Sequence, residues 1–210
     1  MNFECGHFFH LYTRANAKED KLFFEKENYL YFLRQYKKYL SPIFIMICYC
    51  LIPNHYHFLI KVRNLNKIFE YQKKNNYKHN GNELKLNEFL IRQITNFHIS
   101  YSKAINKKYN RRGSLFQEKP KVKPVLEINY LLRLARYIHR NPLKHKIAEN
   151  LEDWKFSSFP DYANLRKGKI PDKRFLLANY ESFEDFLEFT LSNDDDLSDD
   201  FDEICDRKLL

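Results

Sequence analysis

Two histidines stand two residues apart within the apolar run Leu51-Ile52-Pro53-Asn54-His55-Tyr56-His57-Phe58-Leu59-Ile60. In an extended strand, residues i and i+2 point to the same face, so His55 and His57 project together, about 7 Å apart along the strand. Tyr56 and Phe58 project the other way, into a predicted core. Neutral imidazoles are common metal ligands. The pair is therefore either half of a metal site or two polar residues on a solvated face, and the stretch alone leaves both open.

The residues around this stretch predict the sheet that holds it. Residues 43–51 are continuously apolar, which is typical of a central strand covered on both faces. After a Pro-Asn turn, residues 55–62 return as the antiparallel partner. Further strands are predicted at residues 7–13 and, at an edge of the sheet because of Pro120, at residues 115–122.

Helices are predicted at residues 23–40, 84–108 and 127–140, where apolar residues recur at helical spacing. The dipeptide Asn141-Pro142 is expected to end the third helix. Residues 63–82 are rich in Asn and Lys and predict a loop.

The net charge of +9 is unevenly distributed over the 210 residues. Residues 181–210 carry 12 acidic and 2 basic residues, so residues 1–180 carry a net charge of +19. Such a basic body indicates a polyanionic partner, usually nucleic acid. We therefore predict a catalytic domain at residues 1–162, a basic linker at 163–180, and an acidic, partly disordered tail at 181–210 with a short helix at 183–191.

Basic residues cluster at two places that suit phosphate contact. One cluster lies at the end of the second long helix and the other around the predicted edge strand. The predicted DNA-binding residues are Lys107, Lys108, Arg111, Arg112, Lys119, Lys121 and Lys123. A solvated helix end is the alternative for the first cluster.

The third helix offers a face that could complete the histidine site. Tyr130, Leu134, Tyr137 and Asn141 lie on one stripe. If that stripe meets the histidine strand, two imidazoles and an amide oxygen make a three-ligand metal site with open positions for phosphate oxygens. A tyrosine hydroxyl beside it could then attack phosphorus. Spacing alone also fits a tyrosine that only packs.

Several separated motifs, taken in order, resemble the single-tyrosine HUH transposases, which include insertion-sequence enzymes and REP-associated tyrosine transposases. The resemblance covers roughly residues 7–162 and rests on the histidine stretch and on Gly113-Ser114-Leu115-Phe116-Gln117, Tyr130-Leu131-Leu132, Tyr137-Ile138-His139-Arg140-Asn141-Pro142, Trp154 and Phe156-Ser157-Ser158-Phe159. Each motif is weak alone, whereas their conjunction is specific. The chain departs from the family in carrying Tyr56 where an aliphatic residue is usual.

The resemblance implies a ferredoxin-like α+β fold, with the histidine motif on a central strand and the catalytic tyrosine on a helix packed nearby. It assigns Tyr137 as the nucleophile, with Tyr130 as the rival tyrosine, and His55, His57 and Asn141 as ligands of Mg²⁺ or Mn²⁺. The implied function is a metal-dependent single-stranded DNA transposase or endonuclease that cleaves and rejoins DNA through a 5′-phosphotyrosine intermediate. The implied partner is single-stranded DNA with a hairpin, and a homodimer is one expected assembly.

Other functions stay open from the sequence. A domesticated REP-associated protein that binds or processes DNA without mobility would keep the same residues. A replication initiator or relaxase is usually larger, and an RNA-binding module with structural zinc fits poorly because the four cysteines form no CxxC pair. With no signal peptide pattern and no apolar run long enough for a membrane helix, we expect a cytoplasmic protein.

Overall fold

A four-stranded antiparallel sheet forms the centre of the computed structural model, which describes residues 2–16, 21–77 and 83–192. Its strands lie in the order β2-β3-β1-β4: β1 (Phe8–Arg14), β2 (Phe44–Ile52), β3 (His55–Val62) and β4 (Lys121–Val125). This is the strand order of a ferredoxin-like βαββαβ sheet. The predicted α+β class with helices packed on an antiparallel sheet is confirmed.

The β2–β3 hairpin fixes the position of the histidine stretch. Ile52 pairs with His55 across a two-residue turn formed by Pro53 and Asn54. On its other side, β3 pairs along its length with β1, so it is a central strand. Nearly all of β2 and β3 is buried. Helices therefore cover both faces of these strands.

Two of the predicted helices pack on the face of β3 that carries Tyr56 and Phe58. Helix α1 (Lys26–Gln35) continues as a wider helical turn to Leu40, and α3 runs over Glu83–Lys108. Both predicted helices are thus confirmed, with the first beginning three residues late. Their aromatic side chains form the first core together with those of β3, for example Phe32 and Phe97.

The segment predicted as a loop over residues 63–82 contains a helix, and that prediction is wrong for α2 (Leu65–Lys74). Asn64 caps the helix by accepting a hydrogen bond from the Lys67 amide at 2.9 Å. Ile68 is fully buried and anchors the helix to the core. Tertiary burial of this side chain outweighs the polar composition that suggested a loop. Residues 78–82 lie outside the described part of the chain.

Helix α4 (Ile128–Lys144) packs on the opposite face of the sheet. The prediction that Asn141-Pro142 would end it is wrong, because the helix continues one turn further. Pro142 removes a single backbone donor near the helix end, and the His145 amide still donates to the Asn141 carbonyl at 3.1 Å. Asn141 therefore lies inside the helix, where it is fully buried.

The edge strand begins a few residues later than predicted. Residues 115–120 form only an isolated bridge, from Phe116 to Ala15, and the regular strand β4 begins at Lys121. The strand is at the sheet edge as expected. Pro124 is tolerated within it because an edge strand has one side without a partner strand.

The C-terminal part of the described chain packs against α4. It contains the short helices α5 (Phe159–Tyr162) and α6 (Lys173–Leu177), and α7 (Phe183–Leu191), which confirms the helix predicted there. Arg140 of α4 donates to the Leu191 carbonyl at 2.8 Å. The division of the chain at residues 162 and 180 stays a prediction, and the described residues on both sides of it share the second core. Residues 193–210 of the predicted tail are outside the described ranges. No helix within those ranges is long and apolar enough to cross a membrane.

Candidate functional site

The two histidines of β3 lie side by side on the face of the sheet that α4 covers. Their ring centroids are 5.0 Å apart, and the rings are nearly perpendicular. His55 is 5% exposed and His57 1%. Because side chains alternate along a strand, Tyr56 between them points into the first core.

Helix α4 brings Tyr137 and Asn141 to these histidines. The Tyr137 ring meets the His57 ring edge-on, with centroids 5.5 Å apart. The Asn141 Oδ1 lies 2.9 Å from the His55 Nε2. Tyr137 and Asn141 are one turn apart on the helix, so one face presents both a phenol and an amide oxygen to the imidazole pair.

A second side chain meets the Nδ1 atom of each histidine. The Nδ1 of His55 lies 2.9 Å from the Asn54 Oδ1, and the Nδ1 of His57 lies 2.9 Å from the Nε2 of His10 on β1. The His57 Nε2 is buried and has no hydrogen-bond partner among the described residues. Both Nδ1 atoms therefore have a hydrogen-bond partner. The Nε2 of His55 faces Asn141 on α4, and the Nε2 of His57 is unsatisfied within the described ranges.

Burial keeps the imidazoles of His57 and His10 neutral. It lowers the pKa of His57 well below its ordinary value, and the nearby His55, His10, His145 and Lys144 lower it further. Burial, aided by Lys123, lowers the pKa of His10 to about 3. Neutral rings keep one nitrogen lone pair each, which is the form that binds a metal.

The donor set fits a divalent cation. Two imidazoles and one amide oxygen converge, and the His57 Nε2, which has no hydrogen-bond partner in the described part of the chain, is the kind of buried polar atom that a ligand would satisfy. Within the described ranges, no three His, Cys, Asp or Glu side chains are grouped to hold a metal. The predicted ligand set is not such a group, because its third member is the amide of Asn141.

Sequence reasoning missed four residues that border the site. His10 and Tyr12 stack with the His57 ring from β1. The His145 ring lies 4.8 Å from that of His55. The Lys144 Nζ lies 5.2 Å from the centroid of the Tyr137 ring. The alternation of His10 and Tyr12 was visible in the sequence, but the register between β1 and β3 was not.

Two of the predicted DNA-binding residues share the histidine face of the sheet. In the β1–β4 register, Lys121 is opposite Tyr12 and Lys123 is opposite His10, and directly paired residues point to the same side. These lysines therefore extend the site toward the sheet edge as a strip of positive charge.

The other predicted DNA-binding residues lie in the layer of α3. Lys108 pairs with Glu25, and the Arg111 Nη1 donates to the Asn106 Oδ1 at 2.9 Å. Lys107 and Arg112 are exposed. Lys119 lines a cavity of about 660 Å³ between α3 and the segment before β4. The structure thus separates the predicted basic residues into two groups on opposite layers.

The fold and site together define a class of protein: a ferredoxin-like sheet whose central strand presents two imidazoles to a helix that carries a tyrosine and an asparagine. The chain is similar in structure to a REP-associated tyrosine transposase bound to a REP hairpin, with a TM-score of 0.52 and 14% identity. The similarity covers 82% of this chain and 92% of that one, and it confirms the predicted relationship at the level of the fold. The sequence matches no protein-family model and no curated protein.

Proposed function

We propose that the protein is a metal-dependent enzyme that cleaves and rejoins single-stranded DNA through a tyrosine nucleophile. The observation that carries the proposal is the convergence of Tyr137 and Asn141 on the two histidines of β3, at the distances given above. A phenol, two imidazoles and an amide oxygen in one buried cluster suit phosphoryl transfer better than packing.

His55, His57 and Asn141 are the residues that would hold a divalent cation, Mg²⁺ or Mn²⁺. When bound, the cation would act as a Lewis acid on a non-bridging oxygen of the scissile phosphate. The His55 Nε2 and the Asn141 Oδ1 lie 2.9 Å apart, which is close enough for both atoms to contact one cation.

Tyr137 then attacks phosphorus, and the bond between phosphorus and the 3′ oxygen breaks. The products are a 5′-phosphotyrosine and a free 3′-OH, in which the proton lost by the phenol is balanced by the one that the 3′ oxygen gains. A free phenol has a pKa near 10. The ammonium group of Lys144 lies 5.2 Å from the centroid of the Tyr137 ring.

Rejoining reverses this chemistry. A second 3′-OH attacks the phosphotyrosine and releases Tyr137, so the energy of the original phosphodiester is retained and no nucleotide hydrolysis is needed. The similar solved structure is bound to a REP hairpin. We propose single-stranded DNA with a hairpin as the substrate here, and a homodimer and a cytoplasmic location stay predictions.

A protein that processes chromosomal repeats without mobility would use the same chemistry. Ends of an insertion element in the DNA beside the gene would distinguish a mobile element from that alternative.

The test is a covalent adduct between the protein and a labelled single strand. We expect incubation with Mg²⁺ or Mn²⁺ to give an adduct that survives a denaturing gel. Tyr137→Phe should abolish it and reduce cleavage roughly 10⁴-fold or more, as for other enzymatic nucleophiles. Tyr130→Phe is the matched control, because it removes a phenol two helical turns earlier on the same helix.

An adduct that persists in Tyr137→Phe would overturn the assignment of the nucleophile. Loss of the adduct only in Tyr130→Phe would move the reaction to the rival tyrosine.

A further inference from the structure

The contact between His10 and His57 determines which nitrogen of His57 is free to bind. His10 is fully buried at the centre of β1, and its Nε2 lies 2.9 Å from the Nδ1 of His57. The two rings are nearly parallel, at 24°. A neutral imidazole carries one proton, so the proton shared in this contact belongs to one ring or the other.

The two arrangements have different consequences. If His10 Nε2 donates, the proton of His57 must sit on Nε2, which is then a buried donor with no partner among the described residues. If His57 Nδ1 donates, its Nε2 keeps a lone pair, and the orphan donor becomes His10 Nδ1. Only the second arrangement lets His57 ligate a metal through Nε2.

His55 is held in a parallel way. Its Nδ1 lies 2.9 Å from the Asn54 Oδ1 and its Nε2 lies 2.9 Å from the Asn141 Oδ1, and both oxygens can only accept. A neutral His55 donates to one of them. With its proton on Nδ1, the lone pairs of Nε2 and the Asn141 Oδ1 face each other, as two ligands of one cation would. Each histidine of the pair thus has, at Nδ1, a hydrogen-bond partner that is not a proposed metal ligand. Such outer contacts commonly set the tautomer and orientation of ligating histidines.

We propose that His10 is a positioning residue that accepts the Nδ1 proton of His57, and that Asn54 does the same for His55, so that both rings present Nε2 to the metal. This inference rests on the proposed function, because it assigns the support of the same metal site. It adds a role for β1, which contributes no ligand.

The experiment uses the full-length protein without DNA and has two readouts. Nitrogen-detected NMR of the histidine rings reports the tautomer of His57 in the metal-free protein, and titration with Mn²⁺ reports metal affinity. We expect the wild type to carry the His57 proton on Nδ1. His10→Leu should lose that preference and bind Mn²⁺ about tenfold or more weakly, as when outer-shell partners of other metal sites are removed.

His10→Gln is the rescue variant, because an amide oxygen can reach the position of the imidazole Nε2 and accept the same proton. It should restore the tautomer and most of the affinity. Asn54→Ala should weaken Mn²⁺ binding less than His10→Leu, since His55 is more exposed than His57 and water can replace the amide. His98→Leu is the matched control, a buried histidine on the other face of the sheet, and should leave both readouts unchanged.

A wild-type His57 protonated on Nε2 would overturn the inference, as would His10→Leu with unchanged tautomer and affinity. The tautomer is measured without metal or DNA. A wild type that binds no Mn²⁺ but carries the proton on Nδ1 would therefore count against the proposed function and leave the role of His10 in orienting His57 intact.

Discussion

Two histidine–tyrosine pairs lie on opposite faces of β3 and differ in how their polar atoms are satisfied. In the α3 layer, the Tyr56 hydroxyl lies 2.6 Å from the His98 Nε2, and the His98 Nδ1 lies 2.9 Å from the Ile94 carbonyl. Both nitrogens of that ring are occupied. In the α4 layer, His57 and Tyr137 meet through their ring edges, and the His57 Nε2 has no partner within the described ranges.

This difference in hydrogen bonding distinguishes a pair that stabilises the fold from a candidate ligand site. An unsatisfied buried polar atom costs about 1–3 kcal/mol, so a fold that leaves one open must offset the cost elsewhere. The Tyr56–His98 pair avoids the cost by closing its hydrogen bonds. The Nε2 of His57 stays unsatisfied among the described residues, and a ligand would recover that cost. Incomplete hydrogen bonding, rather than burial, distinguishes the two.

Substitutions in one pair at a time test whether the two pairs differ in function. His55→Ala combined with His57→Ala should abolish the covalent adduct, because the proposed cation would lose two of its three protein ligands. We expect cleavage to fall on the order of 10³-fold or more, the effect of losing several kcal/mol of transition-state stabilisation. Adduct formation and Mn²⁺ titration measure the two consequences.

The matched control is His98→Leu, which removes the histidine of the structural pair. It should lower stability, because the Tyr56 hydroxyl loses its acceptor, and keep the cleavage rate at temperatures where the protein stays folded. Robust cleavage by the double alanine variant would contradict the proposed metal-binding role of His55 and His57. Equal loss of cleavage in His98→Leu would show that the two pairs do not differ in function.

The sequence predicted four residues that the structure brings together, and fewer of the residues that surround them. The i, i+2 histidines and the helical stripe from Tyr137 to Asn141 follow local periodicity, which a sequence displays directly. The contribution of His10 depends on the register between β1 and β3, and Lys144 enters because α4 continues through Pro142. Register and helix ends are decided by tertiary contacts, and these are not visible in a single sequence.

The same reason explains the error over α2. The Asn and Lys residues that suggested a loop occupy its solvent face. Its buried side chains are Gln72 and Ile68, and Ile68 meets a core built by distant segments. A single apolar side chain gives little helical periodicity in the sequence. The polar composition therefore predicted a loop, although tertiary packing stabilises a helix.

The pH dependence of stability tests the structural pair. Burial lowers the pKa of His98 to about 4, from an ordinary value of 6.5. The unfolded chain therefore binds a proton first as pH falls, and the free energy of unfolding decreases from pH 6.5 down to about pH 4. His98 alone should cost about 2 kcal/mol between pH 7 and pH 5.

Denaturant unfolding at these two pH values measures the loss. The other buried histidines contribute to it in both proteins, so the informative quantity is the difference between wild type and His98→Leu. The variant should lose about 2 kcal/mol less over the same range. Identical losses would mean that His98 is not held neutral by its environment, and that the α3-layer pair is not the closed structural unit described above.

The smallest expected effect concerns the basic residues, which the structure places on both layers. Lys121 and Lys123 share the face of His10 and His57, whereas Lys107 and Arg112 lie at the end of α3 in the other layer. A strand whose phosphate enters the α4-layer site should pass the first pair. Replacing both lysines by Gln should therefore reduce the slope of log K against log salt concentration, for single-strand binding, by about 0.7 for each phosphate that the protein no longer neutralises. Binding titrations across salt concentrations measure this slope.

Lys107→Gln with Arg112→Gln is the matched charge change and should reduce the slope less. A larger effect from the α3 pair would place the DNA path on the layer of His98, away from the proposed site.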